Sequence, residues 1–217
     1  MQDILRDICI YAVPLLLAVV AHEVAHGWVA EKLGDPTARL LGRISLNPLV
    51  HIDVVGTVLI PLMLLVTNAP FLFGWAKPVP VQFHRLHGGR RAMAWVALAG
   101  PLTNLMLAAA SALVYRFVVF LFALGLGSGV WGLVLSPLFL MARFSVVFNL
   151  VLMAVNLFPV PPLDGGRVLT GLLPRSLAFQ VARLERFGMF IVLIFVITGW
   201  WGYMLRPVVN LFARIFL

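Results

Sequence analysis

Residues 12–26 read Ala-Val-Pro-Leu-Leu-Leu-Ala-Val-Val-Ala-His-Glu-Val-Ala-His, an apolar run that ends in two histidines and a glutamate. Positions i and i+4 of a helix share a face. His22 and His26 can therefore turn two imidazoles to one point, with Glu23 beside them. Such a pair can bind one metal ion, and the intervening glutamate can act on a water held there. The plain alternative is three polar residues that happen to lie near a helix end. The setting weighs against it, because Ala12 to Ala21 are all apolar and ionisable groups within a membrane are costly and usually functional.

The rest of the chain agrees with a membrane setting. Of its 217 residues, 62% are hydrophobic and 11% charged, with mean hydropathy +1.04. A soluble domain carries about a quarter charged residues and cannot hide this much apolar surface at this length. The composition excludes a soluble globular protein, a disordered chain and a disulfide scaffold. Cys9 stands alone and forms no internal bridge. The net charge of +8 sits in segments between apolar runs, as in basic cytoplasmic loops, and no nucleic-acid motif accompanies it.

A spanning helix needs about 20 mostly apolar residues. The first run covers Ile4 to Val29; its start is not basic, and it continues past the length of a signal peptide, so it reads as a retained helix. Further runs cover Val54 to Phe73, Ala92 to about Leu124, Ser136 to Phe158 and Phe187 to Leu205. Ser136-Pro137 reads as a cap followed by proline at the first helical position, which puts Arg143 near the membrane edge. Residues 174–186 read as a short surface helix. Without repeats or an appended soluble segment, residues 1–217 are expected to form a single membrane domain.

A hydrolytic metal site of this kind needs a third protein ligand and an open position. Among few acidic candidates, Asp164 stands in unusual company: Asn156-Leu157-Phe158-Pro159-Val160-Pro161-Pro162-Leu163-Asp164-Gly165-Gly166-Arg167. The prolines stop a helix and the glycines admit close backbone approach. The alternative is an ordinary helix-ending loop with a solvated aspartate. The early HExxH and the late NxxPxPxLDGGR together resemble the site-2 protease family of intramembrane zinc metalloproteases. Gly74-Trp75-Ala76-Lys77-Pro78-Val79-Pro80-Val81 and Ala99-Gly100-Pro101-Leu102-Thr103-Asn104 also fit that family. The resemblance runs from about His22 to Arg167 and is to a compact form without a PDZ or CBS domain. It implies one Zn2+ per chain on His22, His26 and Asp164, with Glu23 as general base and Asn156 near substrate or oxyanion. It also implies a single-pass membrane protein or peptide as substrate, either a signalling precursor or a signal-peptide remnant. The compact form suggests a prokaryotic plasma membrane.

Charge tests the topology independently. If Val54 to Phe73 spanned the membrane, the ends of the first helix and of Ser136 to Phe158 would face opposite sides. His22 and Asp164 would then lie most of a bilayer apart, about 30 Å. If the run enters and returns, over about 53–83, the two ends share a side. With the N-terminus outside, the cytoplasmic segments then carry Lys32, Arg39, Arg43, Lys77, Arg85, Arg90, Arg91, Arg167, Arg175, Arg183 and Arg186, against Arg6, Arg206 and Arg214 outside. The positive-inside rule prefers this arrangement. The expected fold is thus an all-α polytopic membrane protein: about four full spans plus a re-entrant helix and extended hairpin around a zinc site, which lies nearer the cytoplasmic face.

In the returning segment, Pro78 and Pro80 lack N–H groups on one edge. The other edge, from Lys77, Val79 and Val81, is expected to pair with an unwound substrate by strand addition, the alternative being a structural loop. His51 reads as an interfacial loop histidine, a neighbour of the site or an alternative ligand. His84 and His87 read as solvated. Gly100-Pro101 and Asn104 suggest close packing and a kink. The rival function is a metal or proton carrier, since broken helices and His/Asp pairs also mark ion pathways. Glu23 separates the two, because only the protease needs a base at that offset.

Overall fold

A computed structural model describes residues 2–67 and 74–217. The chain is 78% helical, with no strand among the described residues. Helix α1 is Gln2–Lys32, and α2 is the short Thr37–Leu40. A π-helical turn, Val54–Leu59, leads into α3, Ile60–Val66. Then follow α4 (Gly89–Ala123), α5 (Gly129–Asn156), α6 (Asp164–Leu172), α7 (Arg175–Arg183), α8 (Glu185–Ile197) and α9 (Trp200–Phe216).

Among the described residues, three helices are long and apolar enough to cross a membrane: Ile10–Lys32 of α1, α4 and α5. They pack as the central bundle, and small residues let them approach. Ala18, Ala108 and Ala112 are buried at the contacts, together with Val146 and Leu150. Outward faces carry large apolar side chains such as Leu113, Phe117 and Phe120, which suits lipid and not water. Helix α9 lays Val209, Phe212 and Phe216 on this bundle, and Arg116 Nη2 donates to Ile215 O at 2.7 Å near its C-terminus.

The fourth span differs from the sequence expectation. Phe187 to Leu205 is not one helix: α8 and α9 meet at a bend of 83°, with Gly199 between them at φ +71°. That left-handed conformation suits glycine and ends α8 after 13 residues, about 20 Å. Helix α5 also starts earlier than expected, at Gly129, and runs through Pro137. Proline at the ninth position removes one backbone donor and the helix continues; Ser136 is not its cap. Arg143 accordingly sits midway along α5. The surface-helix expectation corresponds to α7 and the start of α8.

The excursion between α1 and α4 returns to its origin. His87 N–H donates to Leu33 O at 2.7 Å, joining the end of α1 to the approach to α4. Trp75 N–H donates to Gly56 O at 3.1 Å, so the chain is back beside the start of the excursion after the apolar α3. Asp53 caps that start, accepting from Val55 and Gly56 N–H at 3.1 and 2.7 Å. Residues 68–73 of the expected apolar run lie outside the described residues. The ends of α1 and α5 and the start of α4 therefore share one side.

Candidate metal centre

His22 and His26 lie one turn apart on α1, facing the start of α4. His22 Nδ1 lies 2.6 Å from Asn104 Oδ1, and His26 Nδ1 lies 2.7 Å from Val96 O. Both partners are acceptors, so each imidazole carries its proton on Nδ1. Each Nε2 is left with a lone pair.

Those two nitrogens lie 3.1 Å apart, and Asp164 Oδ2 lies 3.1 Å from His22 Nε2 and 3.2 Å from His26 Nε2. Asp164 is the first residue of α6, and its buried Oδ2 meets no donor. Three lone pairs thus converge in a buried place, which is repulsive unless a cation lies between them. Ligands about 2.0–2.1 Å from a tetrahedral zinc stand roughly 3.3 Å from one another, so the spacing fits. The donor set, two neutral imidazoles and one carboxylate, leaves a fourth position open. No other cluster of three such groups occurs among the described residues.

Asn104 is itself held. It is fully buried, and its Nδ2 donates to Asn149 Oδ1 at 2.9 Å and to Ala18 O at 3.3 Å. Asn149 Nδ2 donates to Ser145 O and Oγ at 2.9 and 3.2 Å, and Ser145 meets Ser111 across α4 and α5 at 2.8 Å. This chain fixes the Asn104 carbonyl toward His22 and with it the ligating tautomer. Asn104→Leu is expected to weaken zinc binding about 10–100-fold, read by competition with a chelating dye. The helices themselves are retained, since the change makes α4 more apolar.

Glu23 Oε2 accepts a hydrogen bond from Val79 N–H at 2.8 Å. The extended segment 74–82 thus runs beside the metal cluster. Its other bonds are also internal: Lys77 N–H to His51 O at 2.9 Å, and Gln82 N–H to Asp35 Oδ2 at 2.6 Å. Of the edge expected to take substrate by strand addition, at Lys77, Val79 and Val81, the first two N–H groups thus have partners within the chain. Pro78 and Pro80 leave only one edge with donors, as expected, but two of that edge's N–H groups are consumed within the chain. Asp35 is buried; burial pushes its carboxyl up, but bonds from Thr37 and Gln82 and the charge of Arg85 hold it below the usual range.

A cavity of about 290 Å³ opens beside the cluster. Its walls include His22, Glu23, His26, Val79, Val81, Asn156, Asp164 and Arg167. Asn156 ends α5 and reaches this cavity, with its Nδ2 donating to Leu152 O at 2.9 Å. Lys77 is not among the lining residues. His51 is buried away from the cluster, its Nε2 donating to Ser45 O at 2.9 Å, and the His87 ring covers Gly34. Sequence reasoning missed the tie from Asn104 to His22, and it missed Asn149 and Arg43. The two asparagines were visible as polar residues inside apolar runs, but their partners are set by packing.

Residues 128–199 match the family model described as Peptidase family M50. The chain is 36% identical over 200 residues to YwhC of Bacillus subtilis (strain 168), named as a zinc metalloprotease, covering 91% of this chain and 84% of the relative. It is 26% identical over 183 residues to Rip2 of Mycolicibacterium smegmatis, also named as a zinc metalloprotease, covering 84% of this chain. The match spans 64% of that second relative, just under two thirds of its length. No solved structure matches the chain.

Proposed function

The chain belongs to peptidase family M50 and is a membrane zinc metalloprotease, and from that premise we propose that it hydrolyses peptide bonds of membrane-spanning substrates within the bilayer. The observation that carries this reading is the place of the site along a helix long and apolar enough to span a membrane. His22 lies ten residues before the end of α1 at Lys32, about 15 Å along the helix axis, with the cavity enclosed by elements from three spanning helices. A substrate bond cut there has left the aqueous phase.

His22, His26 and Asp164 would hold the ion. Zinc, when bound, supplies Lewis acidity that lowers the pKa of water toward about 7. Glu23, at the cavity wall, takes the proton of the attacking water and passes it to the leaving amine. Asn156, at the cavity wall, donates to the oxygen on which charge develops. The Val79–Val81 face lines the same cavity and packs against the substrate. The substrate class is a single-pass membrane protein or peptide, a signalling precursor or a signal-peptide remnant. Basic residues between α1 and α4 and after α5 support a site nearer the cytoplasmic face. The bacterial origin of both relatives supports a prokaryotic plasma membrane.

The test is cleavage by the purified, zinc-loaded protein in lipid nanodiscs. A single-pass substrate and an unfolded soluble polypeptide are offered side by side, and products are mapped by mass spectrometry. Cuts within or at the edge of the apolar span, lost on chelation and restored by zinc, are expected. Equal or preferential cutting of the soluble polypeptide would overturn the intramembrane reading.

A further inference from the structure

Arg43 is a buried cation with no acidic partner among the described residues. It is 8% exposed, and its Nε has no hydrogen-bond acceptor. Its Nη2 donates to Lys77 O at 2.7 Å and lies 3.4 Å from Pro78 O. Taking a guanidinium out of water is costly unless a counter-charge or strong acceptors replace the lost hydration. Two backbone carbonyls are thin compensation. The same positive charge on the surface would cost the fold nothing.

The two carbonyls belong to the segment that touches Glu23. The Pro78 carbonyl and the Val79 N–H are the two ends of one planar peptide unit. Arg43 lies at the oxygen end, and Glu23 Oε2 accepts from the nitrogen end at 2.8 Å. A cation and an anion thus sit at opposite ends of one peptide dipole, each strengthening the other's contact. The shorter bond to Lys77 O fixes the preceding unit, and Pro78 fixes φ between them. Lys77 N–H to His51 O and Thr57 Oγ1 to Trp75 O, at 2.9 and 2.8 Å, hold the approach to this point.

We propose that Arg43 is a positioning residue for Glu23, acting through the Pro78–Val79 peptide. The proposal rests on the reading of Glu23 as general base. A glutamate at a cavity wall has several rotatable bonds. Tying Oε2 to Val79 N–H limits the carboxylate's rotation and leaves Oε1 for proton transfer. The brace holds the peptide that holds the base, so its loss slows turnover without touching a zinc ligand.

The test uses the full-length, zinc-loaded protein and the variants Arg43→Gln, Arg43→Lys, Val79→Pro, Val79→Ala and Arg43→Gln/Val79→Pro, with Glu23→Gln in parallel. Arg43→Gln and Val79→Pro are each expected to lower kcat about 10–100-fold, as for a base misplaced by about an ångström, with zinc stoichiometry retained. The double variant is expected to be no slower than Val79→Pro alone, because both changes break one linkage. Arg43→Lys, which can reach one carbonyl but not grip both, restores part of the rate. Val79→Ala keeps the N–H and is expected to move KM rather than kcat. Wild-type kcat in Arg43→Gln, additive losses in the double variant, or zinc lost together with activity would each overturn the brace. Should Arg43→Gln not fold, Arg43→Lys carries the test, and wild-type kcat in it has the same meaning. An active Glu23→Gln would instead overturn the general-base reading, so the two failures are distinct.

Discussion

Glu23→Gln is expected to keep one zinc per chain and to lower peptide hydrolysis about 10²–10⁴-fold. The substitution is nearly isosteric. The ligand atoms belong to His22, His26 and Asp164, and none moves when the neighbouring carboxylate becomes an amide. The glutamine carbonyl still accepts from Val79 N–H, so segment 74–82 stays in place. What is lost is the ability to take a proton. The variant therefore separates ion binding from chemistry, which distinguishes a protease from a metal carrier. A carrier needs His22, His26 and Asp164 but has no use for a base at position 23. The measurement is zinc by elemental analysis and cleavage of a single-pass substrate, on wild type and variant together. Turnover retained at more than about a tenth of wild type would remove Glu23 from the role of base.

The parts of this architecture that the sequence announced are those with a local signature. The His22–His26 spacing makes sense only on a helix, and it is on one. Asp164 stood out because prolines and glycines around it had no place in a span. The return of the chain between α1 and α4 was legible because charge and ligand geometry required the same answer, and the Leu33–His87 bond meets that requirement. Other features had no local signature. Gly165 and Gly166 argue against a helix by propensity, yet α6 starts there, because a Cβ at either would fall 2.2 Å from Leu157 O or Pro161 N. The helix exists where its own preceding loop presses on it, and only glycine fits. The break at Gly199 was masked by an apolar run long enough to cross unbroken. Ser136-Pro137 carried a start signal that the longer apolar context of α5 overrode. Arg43 looked like one more loop cation, and only the fold shows it buried against Lys77 and Pro78.

Gly100→Ala is expected to abolish zinc binding, or to weaken it by at least about a hundredfold, and to take proteolysis with it. Alanine is ordinarily the better residue within a helix, by about 1 kcal/mol, so α4 itself gains from the change. The cost lies across the helix interface. A Cβ at position 100 would stand 2.5 Å from His22 Cε1 and 2.6 Å from the Nε2 atoms of both His22 and His26. Real Cβ contacts are not this short, so something must move. The imidazoles are poorly able to, since their far sides are pinned at 2.6 Å to Asn104 and 2.7 Å to Val96. Moving either ring breaks a buried hydrogen bond and turns its Nε2 off the common point. Moving α4 instead opens the packed bundle around Ala108, Val146 and Leu150. The measurement is zinc affinity by competition, paired with thermal unfolding of the metal-free forms. Similar unfolding temperatures with a large loss of affinity would show that Gly100 is small for the sake of the metal centre. Wild-type affinity in Gly100→Ala would mean that the histidines are free to shift, and that Asn104 and Val96 do not fix them.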